Sequence, residues 1–119
     1  MDFITPEQYQ QLLDNDQNGQ QDPAPVVMLH IPNTSSVWLL TSAFNANPDI
    51  AYGLITEKRQ PPKMGCVSLY DLFMNNEPAE AVKPEPAFVP QFPVSFYQAH
   101  AEQRNGTLDR NLLTTPLPY

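Results

Sequence analysis

Several protein classes depend on features that this sequence has little of. There is one cysteine, Cys66, so no disulfide can close within the chain and no CxxC pair exists to hold a metal. A reducing cytoplasm is the expected setting. The longest apolar runs, Val26–Ile31 and Val37–Leu40, fall far short of the roughly 20 residues that cross a bilayer. The opening Met-Asp-Phe-Ile-Thr-Pro-Glu has neither the basic nor the apolar region of a secretion signal. The two histidines, His30 and His100, stand far apart and belong to no metal-binding spacing such as HExxH. Lysine and arginine are absent from residues 1–57, which carry Asp2, Glu7, Asp14, Asp16, Asp22, Asp49 and Glu57. All of the net charge of −7 therefore belongs to that half. Direct binding of nucleic acid needs basic groups to displace condensed counterions, so it is not expected. A partner with a basic or nucleic-acid-binding surface fits the sign of the charge. A solvated acidic surface that keeps the protein soluble is the plainer alternative.

What is present points to one folded domain. The chain has 119 residues, 41% of them apolar, enough for one core. With 14 prolines against 4 glycines, its connections are stiff. Thr5 is placed as an N-cap, Pro6 at the first helical position and Gln8 as the reciprocal partner of a capping box. Ile4 and Tyr9 are spaced as a hydrophobic staple, and Tyr9, Leu12 and Leu13 make an apolar stripe. This helix is expected to end in Asp14-Asn15-Asp16-Gln17-Asn18-Gly19, where short polar side chains compete for backbone hydrogen bonds. Strands are expected at Val26–Ile31, Ser36–Phe44, Ile50–Thr56 and Met64–Leu69, joined by loops short enough to demand antiparallel neighbours. Gly53 inside the third strand signals a bulge or a close backbone approach. Ser68 can cap a short helix whose buried face is Leu69, Leu72 and Phe73. Residues 75–93 are rich in proline and expected to be extended, with an edge strand near Ala87–Val89. A last helix is expected from about Pro93 to Arg104, stopped by Asn105-Gly106.

The fold class expected is therefore α+β. A four- to five-stranded, mainly antiparallel meander carries N-terminal and C-terminal helices and one short helix, which together cover one face. Residues 1–106 form the domain and residues 107–119 an extended tail. Trp38, Leu40, Ile50 and Leu54 are expected to stabilise the core.

The order of motifs resembles Domain of Unknown Function family 2958. The matching stretches are Ile4-Thr5-Pro6-Glu7-Gln8, the strand Val26–Ile31 with its proline turn, and Trp38-Leu39-Leu40-Thr41. Asn47-Pro48-Asp49-Ile50-Ala51-Tyr52-Gly53-Leu54, Gly65–Leu72 and Pro93-Val94-Ser95 continue the match, which covers roughly residues 3 to 104. The resemblance implies a small domain carried by plasmids, conjugative elements and phages, often beside antirestriction and DNA-processing genes. It brings no established activity. The proline-rich segment and the tail depart from the family pattern.

The residues offer little chemistry. His30 in an apolar strand reads as a core or edge histidine, and His100 as part of a solvated helix face. Cys66 in a strand reads as a small buried hydrophobe. No nucleophile stands beside a base at a useful spacing, so no catalytic residues, no cofactor and no metal are expected. Asp14, Asp16, Asn18 and Gly19 match half of a calcium loop, but its closing acid would fall on Pro25. Trp38, Phe44, Tyr52 and Tyr70 read as core before surface. The expected function is that of a non-catalytic, cytoplasmic, acidic binding protein of a mobile element. It would inhibit a host nucleic-acid-binding defence complex, of anti-CRISPR or antirestriction type, by protein–protein contact. Its partner-facing residues are expected to be Asp14, Asp16, Asp22, Asp49 and Glu57, with the Lys58-Arg59-Lys63 loop and the proline-rich segment as competing surfaces. An accessory factor for replication or conjugation, and a small enzyme with an unrecognised site, are the alternatives.

Overall fold

The computed structural model describes residues 4–19, 21–32, 34–57, 60–74 and 82–114, without the side chains of Arg110 and Asn111. Its elements run in the order α1 (Pro6–Gln17), β1 (Val27–His30), β2 (Val37–Phe44), β3 (Asn47–Thr56), β4 (Lys63–Ser68), α2 (Leu69–Phe73), β5 (Lys83–Pro84), α3 (Val94–Gln103) and α4 (Arg110–Thr114). The sheet is five-stranded and antiparallel, in the order β4-β3-β2-β1-β5: β1 to β4 form a meander, and β5 crosses back to pair with β1. The α+β class and the meander are as expected.

The start of α1 follows from its sequence. Thr5 Oγ1 accepts from the Gln8 N–H at 3.1 Å, and Gln8 Oε1 accepts from the Thr5 N–H at 3.0 Å, closing the capping box. Ile4 and Tyr9 pack into the same cluster. The end of α1 falls inside the expected stretch, at a cap on Asn18, with Asp14, Asn15, Asp16 and Gln17 still helical. These side chains are engaged elsewhere and do not compete for their own backbone. Asp14 accepts from Gln10, the buried Asn15 donates to the Thr41 carbonyl at 2.8 Å, and Asp16 accepts from Asn45. Residues 14–17 are thus helix and do not form a calcium-type loop.

Alternation along the strands fills two cores. On one face Val27, Leu29, Leu40, Ala43 and Ala51 pack with Leu12 of α1 and Leu69 of α2. On the other, Met28, Val37, Leu39 and Leu54 pack with Val94 and Tyr97 of α3 and Leu113 of α4. The helices therefore cover both faces, not one. The sheet is too apolar on both sides for single-sided cover: the central strand β2 buries neighbouring Leu39 and Leu40, which point opposite ways. The expected tail is also corrected. Residues 110–114 form α4, with Leu113 fully buried in the second core, so the domain extends beyond residue 106. Residues 115–119 lie outside the described residues.

Between Leu40 and Ser42 the β2–β3 register shifts, and this bulge returns Ala43 to the face of Leu40. Thr41 Oγ1 donates to the Tyr52 carbonyl at 3.1 Å and Asn15 ties the Thr41 carbonyl. Gly53 sits opposite Leu40, as the reading of a bulge with close backbone approach required. The edge strand falls at Lys83–Pro84, beside β1, and not at Ala87–Val89. The α3 stop at Asn105-Gly106 holds: Gly106 N–H donates to the Ala101 carbonyl at 2.9 Å with φ +86°.

Candidate protein-interaction surface

The five candidate acids are scattered. Asp14 and Asp16 stand on the last turns of α1, and Asp16 meets the β2–β3 turn, where its carboxylate accepts from both the backbone N–H and the side-chain amide of Asn45 at 3.0 Å. Asp49 lies near the start of β3, accepting from Ser68 Oγ at 2.7 Å and from the Tyr70 N–H at 2.9 Å. Glu57 follows the far end of β3, about 26 Å from Asp49 at the strand rise of 3.3 Å per residue. Asp22 accepts from the Ser95 N–H at 3.0 Å and from Ser95 Oγ at 2.5 Å.

Each of these bonds has a local reason. α3 begins after Pro93, whose side chain makes no cap, and Asp22 supplies the missing acceptor near a helix N-terminus that favours negative charge. Asp49 and Ser68 together cap α2, since Ser68 Oγ also accepts from the Asp71 N–H at 3.2 Å. The Ser95 hydroxyl and amide hold the Asp22 carboxyl below its ordinary 3.8. The Asn45 backbone amide, then its side-chain amide, do the same for Asp16. Burial, with the nearby Asp49 charge, raises the Tyr9 phenol, whose hydroxyl donates to the Pro48 carbonyl at 2.8 Å.

These shifts give a pH prediction. A carboxyl whose folded pKa is depressed adds stability that is present above its unfolded value near 3.8 and is lost as pH falls through the folded value. Urea midpoints between pH 6 and pH 3 are expected to fall most steeply below about pH 4. In Asp22→Asn the protein is less stable at neutral pH and the acid limb is shallower. Equal acid limbs in the two proteins would refute the capping role.

The histidines and the cysteine do not assemble. His30 on β1 and Cys66 on β4 are three strands apart, about 14 Å at the usual spacing. His100 is half-buried on α3, contrary to the solvated face expected. Its Nε2 accepts from the Asp109 N–H at 3.4 Å, and burial, then the Arg104 charge, lower its pKa from 6.5. Cys66 is exposed, not buried, because β4 is the sheet's outer strand and its α3-side face is uncovered there. Among the described residues no group of three His, Cys, Asp or Glu side chains could hold a metal ion, and no helix is long and apolar enough to cross a membrane. An open depression of about 440 Å³ beside Gln11, Asn15 and Pro90 has no titratable side chain in its lining.

The competing surfaces also change character. Lys58, Arg59 and residues 75–81 lie outside the described residues. From residue 82 the proline-rich segment wraps its own domain: β5 pairs with β1, Val89 N–H donates to the Leu113 carbonyl at 2.8 Å, and Phe88 and Phe92 pack on the second core. Trp38, Phe44 and Tyr52 are half-buried, and of the expected core set Leu40 and Leu54 are fully buried while Trp38 and Ile50 are half-buried.

Among the described residues, three of the four large apolar side chains that face solvent gather on α2 and its cap. Tyr70 is 61%, Phe73 41% and Met74 47% exposed. Their spacing of i, i+3 and i+4 puts them on one side, next to the stripe of buried Leu69 and half-buried Leu72. Phe73 was expected in the core. A helix of barely more than one turn can bury only a narrow stripe, and Leu69 and Leu72 occupy it. Phe96 of α3, 44% exposed, stacks on Phe92 with ring centroids 4.2 Å apart. No curated protein and no solved structure matches the chain. The family model described as Protein of unknown function (DUF2958) matches residues 3–108, which is most of the chain and takes in every strand, α1, α2 and α3, so the protein belongs to that family.

Proposed function

We propose that this chain is a non-catalytic binding protein that engages another protein through the Tyr70–Phe73–Met74 side of α2. The observation that carries this reading is the exposure of those three large apolar side chains on one side of a doubly capped helix. Exposed side chains of this type in one cluster mark interaction sites more often than singly scattered ones do, and aromatic residues supply most binding hot spots. Capping by Ser68 and Asp49 holds the stripe in place before any partner arrives, which lowers the ordering cost of association. The partner class proposed is a host nucleic-acid-binding defence complex, in keeping with the mobile-element setting of the resemblance and the chain's net charge of −7.

A plasmid- and phage-interference assay with and without the gene tests the defence role, and affinity capture with the wild-type chain supplies the partner. The double variant Tyr70→Ser, Phe73→Ser is expected to keep the wild-type melting temperature, since neither side chain is buried. It is expected to lose partner binding by roughly thirtyfold or more, the scale of a hot spot. Unchanged binding by a folded double variant refutes the surface. Unchanged interference on deleting the gene refutes the defence role and leaves the replication or conjugation accessory role as the reading to pursue.

A further inference from the structure

We infer that β4 is a homodimerisation edge, pairing antiparallel with β4 of a second copy to make one continuous sheet. The two edges of the sheet are unlike. The β5 edge is two residues long and built from Lys83 and Pro84, with Pro86 just beyond, the devices that natural sheets use to block pairing. The β4 edge has six residues, Lys-Met-Gly-Cys-Val-Ser, with no proline and its charge confined to one end. Among the described residues nothing pairs with its outer side, so alternate backbone N–H and C=O groups point outward.

The faces of β4 restrict how two copies can meet. Lys63, Gly65 and Val67 stand opposite Ile55, Gly53 and Ala51, on the side of the sheet covered by α1 and α2, whereas Met64, Cys66 and Ser68 are on the other side. A two-fold axis normal to the sheet reverses the strand and keeps each face, so facing residues must share a face. The axis therefore passes through a residue and not between two. Centring it on Cys66 sets Met64 against Ser68 of the second copy and Lys63 against its Leu69, the first residue of α2.

Charge selects this arrangement and a second copy as the occupant. Asp71 is exposed in the first turn of α2, the helix whose Leu69 packs on the same side of the sheet as Lys63. The two-fold brings each Lys63 to the other copy's Asp71, one pair at each end of the joint. Residues 60–70 hold Lys63 and no acid, so the repulsion expected of an acidic chain is weakened along this edge. Side chains at the axis are small, Gly65 and Cys66, which permits close approach.

Sedimentation equilibrium of the full chain over a concentration series is expected to show a species of twice the chain mass. A short bismaleimide should cross-link it through Cys66, since facing residues lie about 5.5 Å apart at the α-carbons, and Cys66→Ser should abolish the cross-link. Lys63→Glu and Asp71→Lys are each expected to weaken dimerisation by roughly tenfold, because each breaks both symmetric pairs and sets like charges together. The double variant restores it. All of these positions are exposed, so circular dichroism should report an unchanged fold. A chain that stays monomeric throughout the series overturns the proposal. So does a dimer that does not cross-link at Cys66 or shows no charge-swap rescue.

Discussion

Gly53→Ala is expected to unfold the domain near body temperature, whereas Gly65→Ala, its partner directly across the β3–β4 ladder, is expected to be close to neutral. The difference lies in what a new methyl group meets. At Gly53 it would press on the Leu39 carbonyl oxygen and lie 2.7 Å from Leu40 Cα. Both are backbone atoms of β2, held by Asn15 and Thr41 at the bulge, and they cannot step aside without breaking the hairpin. Overpacking against fixed backbone costs at the top of the usual range, about 3 kcal/mol or more, a large fraction of the 5–15 kcal/mol that stabilises an ordinary domain. At Gly65 the nearest atom is the tip of Ile55, Cδ1 at 3.3 Å, which can rotate away, and the lost glycine entropy offsets the crowding by about 0.5–1 kcal/mol. Thermal or urea unfolding of the two variants decides the matter. Equal losses would show that the bulge is not the rigid element.

Much of the fold is written locally. Thr5, Pro6 and Gln8 start α1, alternation marks the four long strands, Ser68 starts α2, and Asn105-Gly106 ends α3. The signals that failed were of a different kind, because their partners are remote in sequence. Nothing around Asp16 announces Asn45, and nothing around Asp22 announces Ser95, with which it makes two hydrogen bonds across 73 positions. Without those partners an acidic half reads as one surface. With them, three of the five candidate acids are structural acceptors, spread from the β2–β3 turn to the start of α3. Coverage of the second sheet face was equally hidden, since Leu108, Leu112 and Leu113 are the only apolar residues of a short polar segment before a proline-containing end. The α2 stripe was legible in principle: Tyr70, Phe73 and Met74 sit at helical spacing beside Leu69 and Leu72. The composition of the helix concealed it, because four of its five residues and the capping Met74 are apolar or aromatic and only the packing decides which of them face in.

Tyr97→Ala is expected to be the most damaging single change to the second core, costing about 3–5 kcal/mol. Tyr97 is the largest fully buried side chain on that side. Its ring stands edge-on to Phe92 and Phe96, with centroids 6.0 Å away in each case, and tilted against Phe88 at 6.3 Å. Its hydroxyl oxygen accepts from the Gln91 N–H at 3.2 Å, so the proline-rich segment and α3 are fastened at the same residue. Removing the ring opens a cavity bounded by Leu39, Leu54 and Leu113, and removes the aromatic contacts, worth about 0.5–1.5 kcal/mol each beyond their area. Tyr97→Phe separates these causes. It keeps the ring and removes the hydroxyl that accepts from the Gln91 N–H, a loss of about 1–3 kcal/mol at most. If the second core is the anchor for residues 82–93, amide exchange in Tyr97→Ala should accelerate in β5 and around Val89 along with α3, while α1 keeps its protection up to the global limit. Uniform loss of protection over both faces would instead mean that the two cores on either side of the sheet open as one cooperative unit.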